Sequence, residues 1–244
     1  MASRRGPIAT SAPLLVLCAC VALVFIILIS NLPEKNENIP SPLNRLRKTY
    51  YINLEHRKDR KDHIETQLQK IGASNVERFN AIKHNHGPMG GHMGCALSHI
   101  ALLEHVIQTS DHQEPAQLDA VLILEDDFEW KYDSTFCNTV IDKCLSLSNE
   151  WNVCLLSCNG SCKPISDHHQ NVENCQTTSA YIIKTSYVPT LLAHWKAQMP
   201  ELKSAIDQSW KELQHDNWIA SNPILGKQAK SYSDIQKGVV DYNV

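Results

Sequence analysis

Hydrophobic residues are grouped along the chain in short runs that predict alternating strands and helices. The most continuous run lies in residues 119–127, DAVLILEDD, where five apolar residues follow one another. An apolar run without polar alternation is typical of a strand covered on both faces, as in a parallel α/β sheet. The run ends in Glu125, Asp126 and Asp127. We therefore expect three adjacent carboxylates at the carboxyl edge of the sheet, where open α/β sheets bind ligands.

Other runs extend this alternation over most of the chain. A β-branched and aromatic run at 48–54 predicts the first strand, and Ile64, Leu68 and Ile71 have helical spacing up to a C-capping Gly72. Further strands are expected at 151–157 and 178–184. Further helices are expected from apolar faces at Ile100, Leu103 and Ile107; at Phe136, Val140, Ile141 and Leu145; at Val188, Leu191, Leu192 and Trp195; and at Leu202, Ile206, Trp210 and Leu213. This order predicts an α/β fold, a mostly parallel sheet with helices on its faces.

Residues 13–30 form an uncharged, mostly apolar segment. As a helix it would extend roughly 27 Å, close to the thickness of a bilayer's hydrocarbon core. Arg4 and Arg5 precede it, so the positive-inside rule keeps residues 1–12 in the cytosol and places the rest of the chain in the lumen. We interpret the segment as a transmembrane signal anchor. A cleaved signal peptide is the alternative, although no small-residue cleavage site follows.

Residues 31–47 have the composition of a linker, with Pro33, Pro40 and Pro42 and few apolar residues. We expect a stem there and a lumenal head at 48–244. The protein would then be a single-pass type II membrane protein of the endoplasmic reticulum or Golgi.

The composition of the chain is that of a globular protein. It has 244 residues, of which 43% are hydrophobic and 20% charged, with a net charge of -3, and it is long enough for one sizeable domain. Because no basic patch with interleaved aromatic residues offsets the negative charge, we do not expect nucleic acid among its partners.

Seven cysteines lie beyond the predicted anchor, and because this number is odd at least one should be a free thiol. Cys158, Cys162 and Cys175 lie in or beside a polar segment, where an oxidising lumen would allow a disulfide. Zinc bound together with the nearby His168 and His169 is the alternative.

Asn159 begins an Asn-Gly-Ser triplet in the same polar segment. This triplet is an N-glycosylation acceptor sequence. We expect a lumenal loop at this position and glycosylation of Asn159.

The acidic cluster at 125–127 predicts a cation site. Three neighbouring carboxylates are ionised at neutral pH unless deeply buried, and they repel one another. Hard oxygen ligands at the end of a rigid strand favour Mg²⁺ or Mn²⁺, which take further ligands from water and substrate phosphates. The sequence therefore suggests a nucleotide diphosphate as ligand. A solvated acidic turn after a core strand is the alternative.

Other polar residues near the predicted sheet edge are candidates for ligand contacts. Arg57 and Arg60 follow the first strand, where a guanidinium would hold a phosphate or ribose. Residues 83–94 are rich in glycine and predict a mobile loop near the substrate. Ser98 and His99 are expected in the first turns of the next helix, where His99 either donates to a phosphate or forms a hydrogen bond in the core.

Several segments resemble, in order, the signature blocks of the family 25 glycosyltransferases, which include lipooligosaccharide and collagen hydroxylysine galactosyltransferases. The first blocks are YINL at 51–54 with RKDR at 57–60, GCALSH at 94–99 and ILEDD at 123–127. The later blocks are WNV at 151–153, AYII at 180–183, Ile206-Asp207, and Pro223, Gln228 and Ser233-Asp234-Ile235. The resemblance covers residues 49–236, almost the whole predicted head.

The resemblance implies a GT-A-type α/β fold and transfer of a hexose, galactose or glucose, from a UDP-sugar to a hydroxyl of a protein or glycan acceptor. It implies Mn²⁺ or Mg²⁺ at Glu125, Asp126 and Asp127. The residues implied to contact the donor are Asn53, Arg57, Arg60, Ser98 and His99. We expect Asp207 to be the base that deprotonates the acceptor, with Asp234 as the second candidate.

One position departs from the family pattern. His92 stands where the family commonly has an acidic residue before GCALSH, which puts the choice of acceptor in doubt rather than the fold. A non-catalytic relative acting as an adhesion or scaffolding module is the alternative from another functional class. Metal-dependent binding of UDP would distinguish the two.

Overall fold

The computed structural model describes residues 40–84, 86–87, 89–110, 116–147, 151–199, 201–233 and 238–240. The predicted tail and anchor, residues 1–30, lie outside the described residues, and so does Asp234. Within the described part, no helix is both long enough and apolar enough to cross a membrane.

The described residues form twelve strands and five α-helices. The strands are β1 (Leu46–Asn53), β2 (Val76–Asn80), β3 (Leu118–Glu125), β4 (Phe128–Trp130), β5 (Val153–Leu155), β6 (Asn159–Pro164), β7 (His169–Gln176), β8 (Ala180–Lys184), β9 (Trp218–Ser221), β10 (Gly226–Gln228), β11 (Ser231–Ser233) and β12 (Gly238–Val240). The helices are α1 (Lys58–Ile71), α2 (Gly90–Ser110), α3 (Ser134–Leu145), α4 (Val188–Lys196) and α5 (Ile206–Ser209). Short 3₁₀ helices cover Pro42–Arg45, Thr185–Tyr187 and Trp210–Leu213.

Eight strands form one central sheet in the order β2-β1-β3-β8-β5-β9-β7-β6. Six of these strands point in one direction, and β8 and β7 run against them. The sheet is therefore mixed in its pairing, although most of its strands are parallel in direction. β4 pairs with β10, and β11 with β12, in two small antiparallel sheets.

The central sheet is covered on both faces by hydrophobic cores. Along β3 the side chains alternate between them: Val121 and Ile123 belong to one core, whereas Leu122 and Leu124 belong to the other. The first core contains apolar residues of α2, α4 and α5, and the second contains those of α1 and α3. The prediction that this apolar run is a strand covered on both faces is confirmed.

Several predicted helices are confirmed, and α1 shows why the sequence predicts them well. Ile64, Leu68 and Ile71 are buried on one side of α1. Gly72 follows with a φ of 75°, a left-handed conformation that a residue without a Cβ adopts at little cost, and its N–H bonds to helix carbonyls. Helices α3 and α4 likewise cover their predicted segments.

Two segments differ from the prediction. Residues 83–94 were expected to be a loop, but α2 begins at Gly90, so Ser98 and His99 lie two turns inside the helix rather than in its first turns. Ile107, expected on the buried face of this helix, is 40% exposed. The Leu202–Leu213 helix is also shorter, because α5 covers only Ile206–Ser209 before a 3₁₀ turn.

The polar segment after β5 is a β-hairpin, not a loop. β6 and β7 pair antiparallel, with Asn159 opposite Gln176. Asn159 is therefore the first residue of a strand at the edge of the sheet. At the other end of the fold, residues 42–46, which were expected in the stem, form a 3₁₀ helix and the start of β1, with Leu43 buried.

Candidate functional site

The acidic cluster lies where β1, β3 and β8 meet at one edge of the sheet. Ile52 of β1 pairs with Glu125, the last residue of β3. β8 runs in the opposite direction, so its first residue, Ala180, pairs with Leu124. Residues that follow β1 and β3 and residues that precede β8 are thereby brought together at this edge.

Asp126 faces the end of β1. Its Oδ2 accepts a hydrogen bond of 2.7 Å from Nδ2 of Asn53, and its Oδ1 accepts one of 2.9 Å from Nη1 of Arg60. Burial raises the pKa of Asp126, an effect that Arg60 and Asn53 oppose. Asp126 thus ties the cluster to β1 and α1.

Asp127 is the carboxylate with spare capacity for a ligand. Its Oδ2 lies 3.2 Å from Nη1 of Arg60. Its Oδ1 is buried and accepts no hydrogen bond from the described residues. Burial and then the charges of Glu125 and Asp126 raise the pKa of Asp127 to about 7, while Arg60 and a hydrogen bond from the side chain of Gln228 act in the opposite direction. A buried carboxylate oxygen without a donor is destabilising, and a cation at this position would relieve that cost.

Glu125 is held by side chains from α2 and from the segment that precedes β8. Its Oε1 accepts a hydrogen bond of 2.5 Å from Thr178 and lies 3.3 Å from Nε2 of His99. The Sγ of Cys95 is 4.0 Å away from the same oxygen. Burial raises the pKa of Glu125, but the interactions with His99, Thr178 and Arg60 together outweigh it and the net shift is downward. Glu125 is therefore ionised at neutral pH.

His99 and Ser98, expected to contact the donor, are both buried, each 1% exposed. The Nδ1 of His99 lies 3.0 Å from Oη of Tyr181, on the ring side away from Glu125. Ser98 donates to the carbonyl of Gly94 and accepts from the N–H of Ile82. Ser98 thus holds α2 to the preceding segment, and His99 supports Glu125.

The two arginines after β1 have different surroundings. Arg60 faces Asp126 and Asp127. Arg57, which precedes α1, donates from Nε and Nη2 to Asp59 at 3.0 and 2.8 Å. That hydrogen bond lowers the pKa of Asp59 to about 2. Arg60 therefore belongs to the acidic cluster, whereas Arg57 pairs with its own helix.

Asp207 lies in the first turn of α5 and belongs to the same electrostatic environment as the cluster. Its Oδ2 accepts a hydrogen bond of 3.0 Å from the N–H of Thr177. Thr177 has a φ of 84°, a left-handed conformation that is costly for a β-branched residue. Burial and then the charge of Glu125 raise the pKa of Asp207, while His92 lowers it.

Some residues of the site were not found from the sequence. Thr178 binds Glu125, and Arg78 donates from Nε to Oδ1 of Asn53 at 2.9 Å. Arg78 also lines an open groove of about 430 Å³ between α1 and β2. Cys95 lies beside the cluster because it is one turn before His99 on α2. The predicted strand at 178–184 was the only signal that pointed to Thr178.

Two groups of residues among those described have ligand atoms close enough to share a metal ion. One consists of Cys95, His99 and Glu125, and the other of Cys158, Cys162 and Cys175. Glu125, Asp126 and Asp127 do not form such a group of three, because Asp126 points toward Asn53 and Arg60. Asp127 interacts electrostatically with Glu125, and its Oδ1, which accepts no hydrogen bond from the described residues, fits a cation ligand.

The cysteines of the hairpin include one disulfide. Cys158 is bonded to Cys175, and Cys162 remains a thiol with its Sγ 3.2 Å from that of Cys175. His168 and His169 make other contacts: the carbonyl of His168 accepts from Cys144, and Nδ1 of His169 lies 2.7 Å from the hydroxyl of Ser166.

Comparisons with known proteins find solved structures at low TM-scores and low sequence identity. No protein-family model matches the sequence, and no curated protein matches it. A glycosyltransferase involved in glycosylation of the major capsid of PBCV-1 aligns with a TM-score of 0.45 and 11% identity, over 73% of this chain and 82% of that one. The 4-diphosphocytidyl-2C-methyl-D-erythritol synthase of Anaerococcus prevotii gives 0.38 and 12%, over 80% and 78%. The glycosyltransferase GlyE of Streptococcus pneumoniae gives 0.35 and 15%, over 71% and 37%.

Proposed function

We propose that this chain is a metal-dependent glycosyltransferase that moves a hexose, galactose or glucose, from a UDP-sugar to a hydroxyl of a protein or glycan. The observation that carries the proposal is the buried Oδ1 of Asp127, which has no hydrogen-bond donor among the described residues. It lies in a cluster of carboxylates at the sheet edge where α/β folds bind ligands. The blocks that resemble family 25 glycosyltransferases include this cluster.

The cluster suits a nucleotide diphosphate. Asp127 and Glu125 are the residues that would hold Mn²⁺ or Mg²⁺. The ion would neutralise negative charge on the diphosphate as the bond to the sugar breaks. Arg60 already lies against the carboxylates at 2.9 and 3.2 Å. It keeps Asp126 and Asp127 in place and brings a fixed positive charge to the side where phosphate oxygens would enter.

Asp207 is the residue that we assign to proton removal from the acceptor. It is partly buried, and its raised pKa makes it a stronger base than an ordinary aspartate. The N–H of Thr177 holds one carboxylate oxygen and leaves the other for a hydroxyl. Inversion at the anomeric carbon needs such a base within hydrogen-bond reach of the acceptor.

The proposed setting is the secretory pathway. The apolar segment at 13–30 and its arginine flank support a signal anchor with a lumenal head. Acceptor hydroxyls of proteins and glycans are found in that compartment. Glycosylation of Asn159, which begins an edge strand, belongs to the same proposal.

Calorimetry with UDP, in the presence and absence of Mn²⁺, tests this proposal. Metal-dependent binding is expected for the wild-type chain, and Asp127→Asn should abolish it. Asp167→Asn, which removes an exposed carboxylate, is the matched control and should bind as the wild type does. If the wild-type chain does not bind UDP, or binds it equally well without Mn²⁺, the result favours a non-catalytic scaffolding module. A screen of UDP-hexoses for metal-dependent hydrolysis would then identify the donor.

A further inference from the structure

We propose that Cys95, His99 and Glu125 form a binding site for a soft divalent metal ion such as Zn²⁺. One ligand atom of each residue lies within 4.8 Å of the other two. The site shares Glu125 with the carboxylates proposed to hold Mn²⁺ or Mg²⁺, but it differs in chemistry because it also offers a sulfur and a nitrogen. It does not depend on sugar transfer, since its ligands are defined by geometry alone.

Helix α2 and strand β3 fix the three ligands. Cys95 and His99 are four residues apart on α2, so both side chains project from the same face of the helix. Glu125 ends β3, whose side chains are buried on both faces of the sheet. Ligands carried on regular secondary structure are held more precisely than ligands on loops.

The distances are close to those of a zinc site with one sulfur, one nitrogen and one oxygen. Bond lengths to zinc with tetrahedral angles place the nitrogen and oxygen about 3.3 Å apart and the sulfur and oxygen about 3.6 Å apart. Here Nε2 of His99 lies 3.3 Å from Oε1 of Glu125, and Sγ of Cys95 lies 4.0 Å from the same oxygen. The sulfur would have to move about 0.4 Å closer to that oxygen.

The surrounding residues support these ligands as outer-shell partners do in zinc proteins. Oη of Tyr181 lies 3.0 Å from Nδ1 of His99, so it can fix the tautomer that presents Nε2 to a metal. The hydroxyl of Thr178 bonds to Glu125 at 2.5 Å. The imidazole is also packed against the indole of Trp195, with ring centroids 5.7 Å apart. These contacts restrict the rotation of two of the three ligands.

Binding requires two proton changes. The thiol of Cys95 would lose its proton to solvent, and the proton of His99 would move from Nε2 to Nδ1, where it donates to Tyr181. Burial raises the pKa of the Cys95 thiol, and the negative charges of Glu125, Asp207 and Asp127 raise it further, so the thiol stays protonated until a metal ion binds. Three protein ligands leave a fourth position open for water or an anion.

A zinc titration of the full chain against a chromophoric chelator tests the site. It is carried out without reductant, so that the Cys158–Cys175 disulfide stays closed. The wild-type chain should bind one equivalent of Zn²⁺, and Cys95→Ser should weaken that binding at least about tenfold. Cys162→Ser is the matched control, because Cys162 is the free thiol of the other cysteine group. It should bind as the wild type does.

Two further measurements keep the test independent of the folding of Cys95→Ser. Wild-type chain loaded with Co²⁺ should show a thiolate charge-transfer band that Cys162→Ser retains. Tyr181→Phe should keep the stoichiometry but lower the zinc affinity about tenfold. The proposal is overturned if the wild type binds no zinc, if Cys162→Ser rather than Cys95→Ser loses the metal, or if cobalt shows no thiolate band. These results are obtained from zinc and cobalt binding without a sugar donor, so failure of the zinc site is distinguishable from failure of the proposed sugar transfer.

Discussion

Nδ2 of Asn53 donates to Oδ2 of Asp126 over 2.7 Å and so joins the ends of the adjacent parallel strands β1 and β3. Oδ1 of the same amide accepts from Arg78 at 2.9 Å. Asn53 is 1% exposed. Its amide therefore satisfies a buried carboxylate on one side and a guanidinium on the other.

Asn53→Ala should lower the free energy of unfolding by about 1–3 kcal/mol, because it leaves Asp126 without one of its buried donors. Urea denaturation measures the change. Asn80→Ala is the matched control, since Asn80 ends the neighbouring strand β2 and is exposed. An equal loss of unfolding free energy in both variants would show that the buried amide of Asn53 contributes no more than the exposed amide of Asn80.

Asp127→Asn should stabilise the metal-free protein above pH 7. The folded pKa of Asp127 is raised from 3.8 to about 7. Between these values the folded chain binds a proton that the unfolded chain has lost, so wild-type stability falls as the pH rises through this window. Asp127→Asn cannot lose stability in this way. Its free energy of unfolding should exceed that of the wild type by roughly 1–3 kcal/mol above pH 7, and the two should be equal below about pH 4.

Urea denaturation at several pH values, with a chelator present, measures this difference. Asp167→Asn should show no pH-dependent gain, because its carboxylate is exposed. If Asp127→Asn is less stable than the wild type at pH 8, the ionised carboxylate of Asp127 does not destabilise the folded chain and the prediction is wrong.

Asp207→Asn should reduce turnover about 10²- to 10⁴-fold, the usual contribution of a general base. Binding of UDP should change little, because the proposed metal ligands remain. The acid limb of the wild-type pH–rate profile should lie above the ordinary range of an aspartate, since burial raises the pKa of Asp207. Steady-state kinetics with the donor identified in the screen measure both effects. Unchanged turnover would exclude Asp207 as the base.

Loss of the hairpin disulfide should lower stability by about 3 kcal/mol, the chain-entropy value for a loop of this length. Cys158 and Cys175 are 17 residues apart. The double variant Cys158→Ser/Cys162→Ser removes the bond and its neighbouring thiol, and Cys162→Ser alone is the control that should be nearly neutral. Peptide mapping without reduction should identify the Cys158–Cys175 pair. A Cys162–Cys175 peptide would contradict the assignment.

The elements that could be predicted from the sequence are those with a strong local pattern. The apolar run of β3 and the helical spacing of Ile64, Leu68 and Ile71 each need only their own segment to be interpreted. The start of α2 was missed because Gly90 and Gly91 have low helix propensity, and packing of the helix overrides it. The β6–β7 hairpin was missed because its strands are mostly polar and alternate weakly.

The candidate site was predictable only in part, because its contacts join distant segments. The acidic cluster follows directly from the end of an apolar strand. The sequence could not separate Arg57 from Arg60, since both lie in one charged turn, and only the direction of each side chain distinguishes them. Thr178 is 53 residues from Glu125, and the antiparallel course of β8 that brings them together has no signature in either segment.

The strand that leads into the acidic cluster is packed between two hydrophobic cores, and this packing fixes its position before any ligand binds. A mobile loop would have to give up conformational freedom each time it wrapped around an ion. Here that freedom is already lost when the chain folds, so Glu125 and Asp127 relieve their mutual repulsion by proton uptake at Asp127 rather than by separation. The repulsion between the two carboxylates therefore favours the binding of a cation.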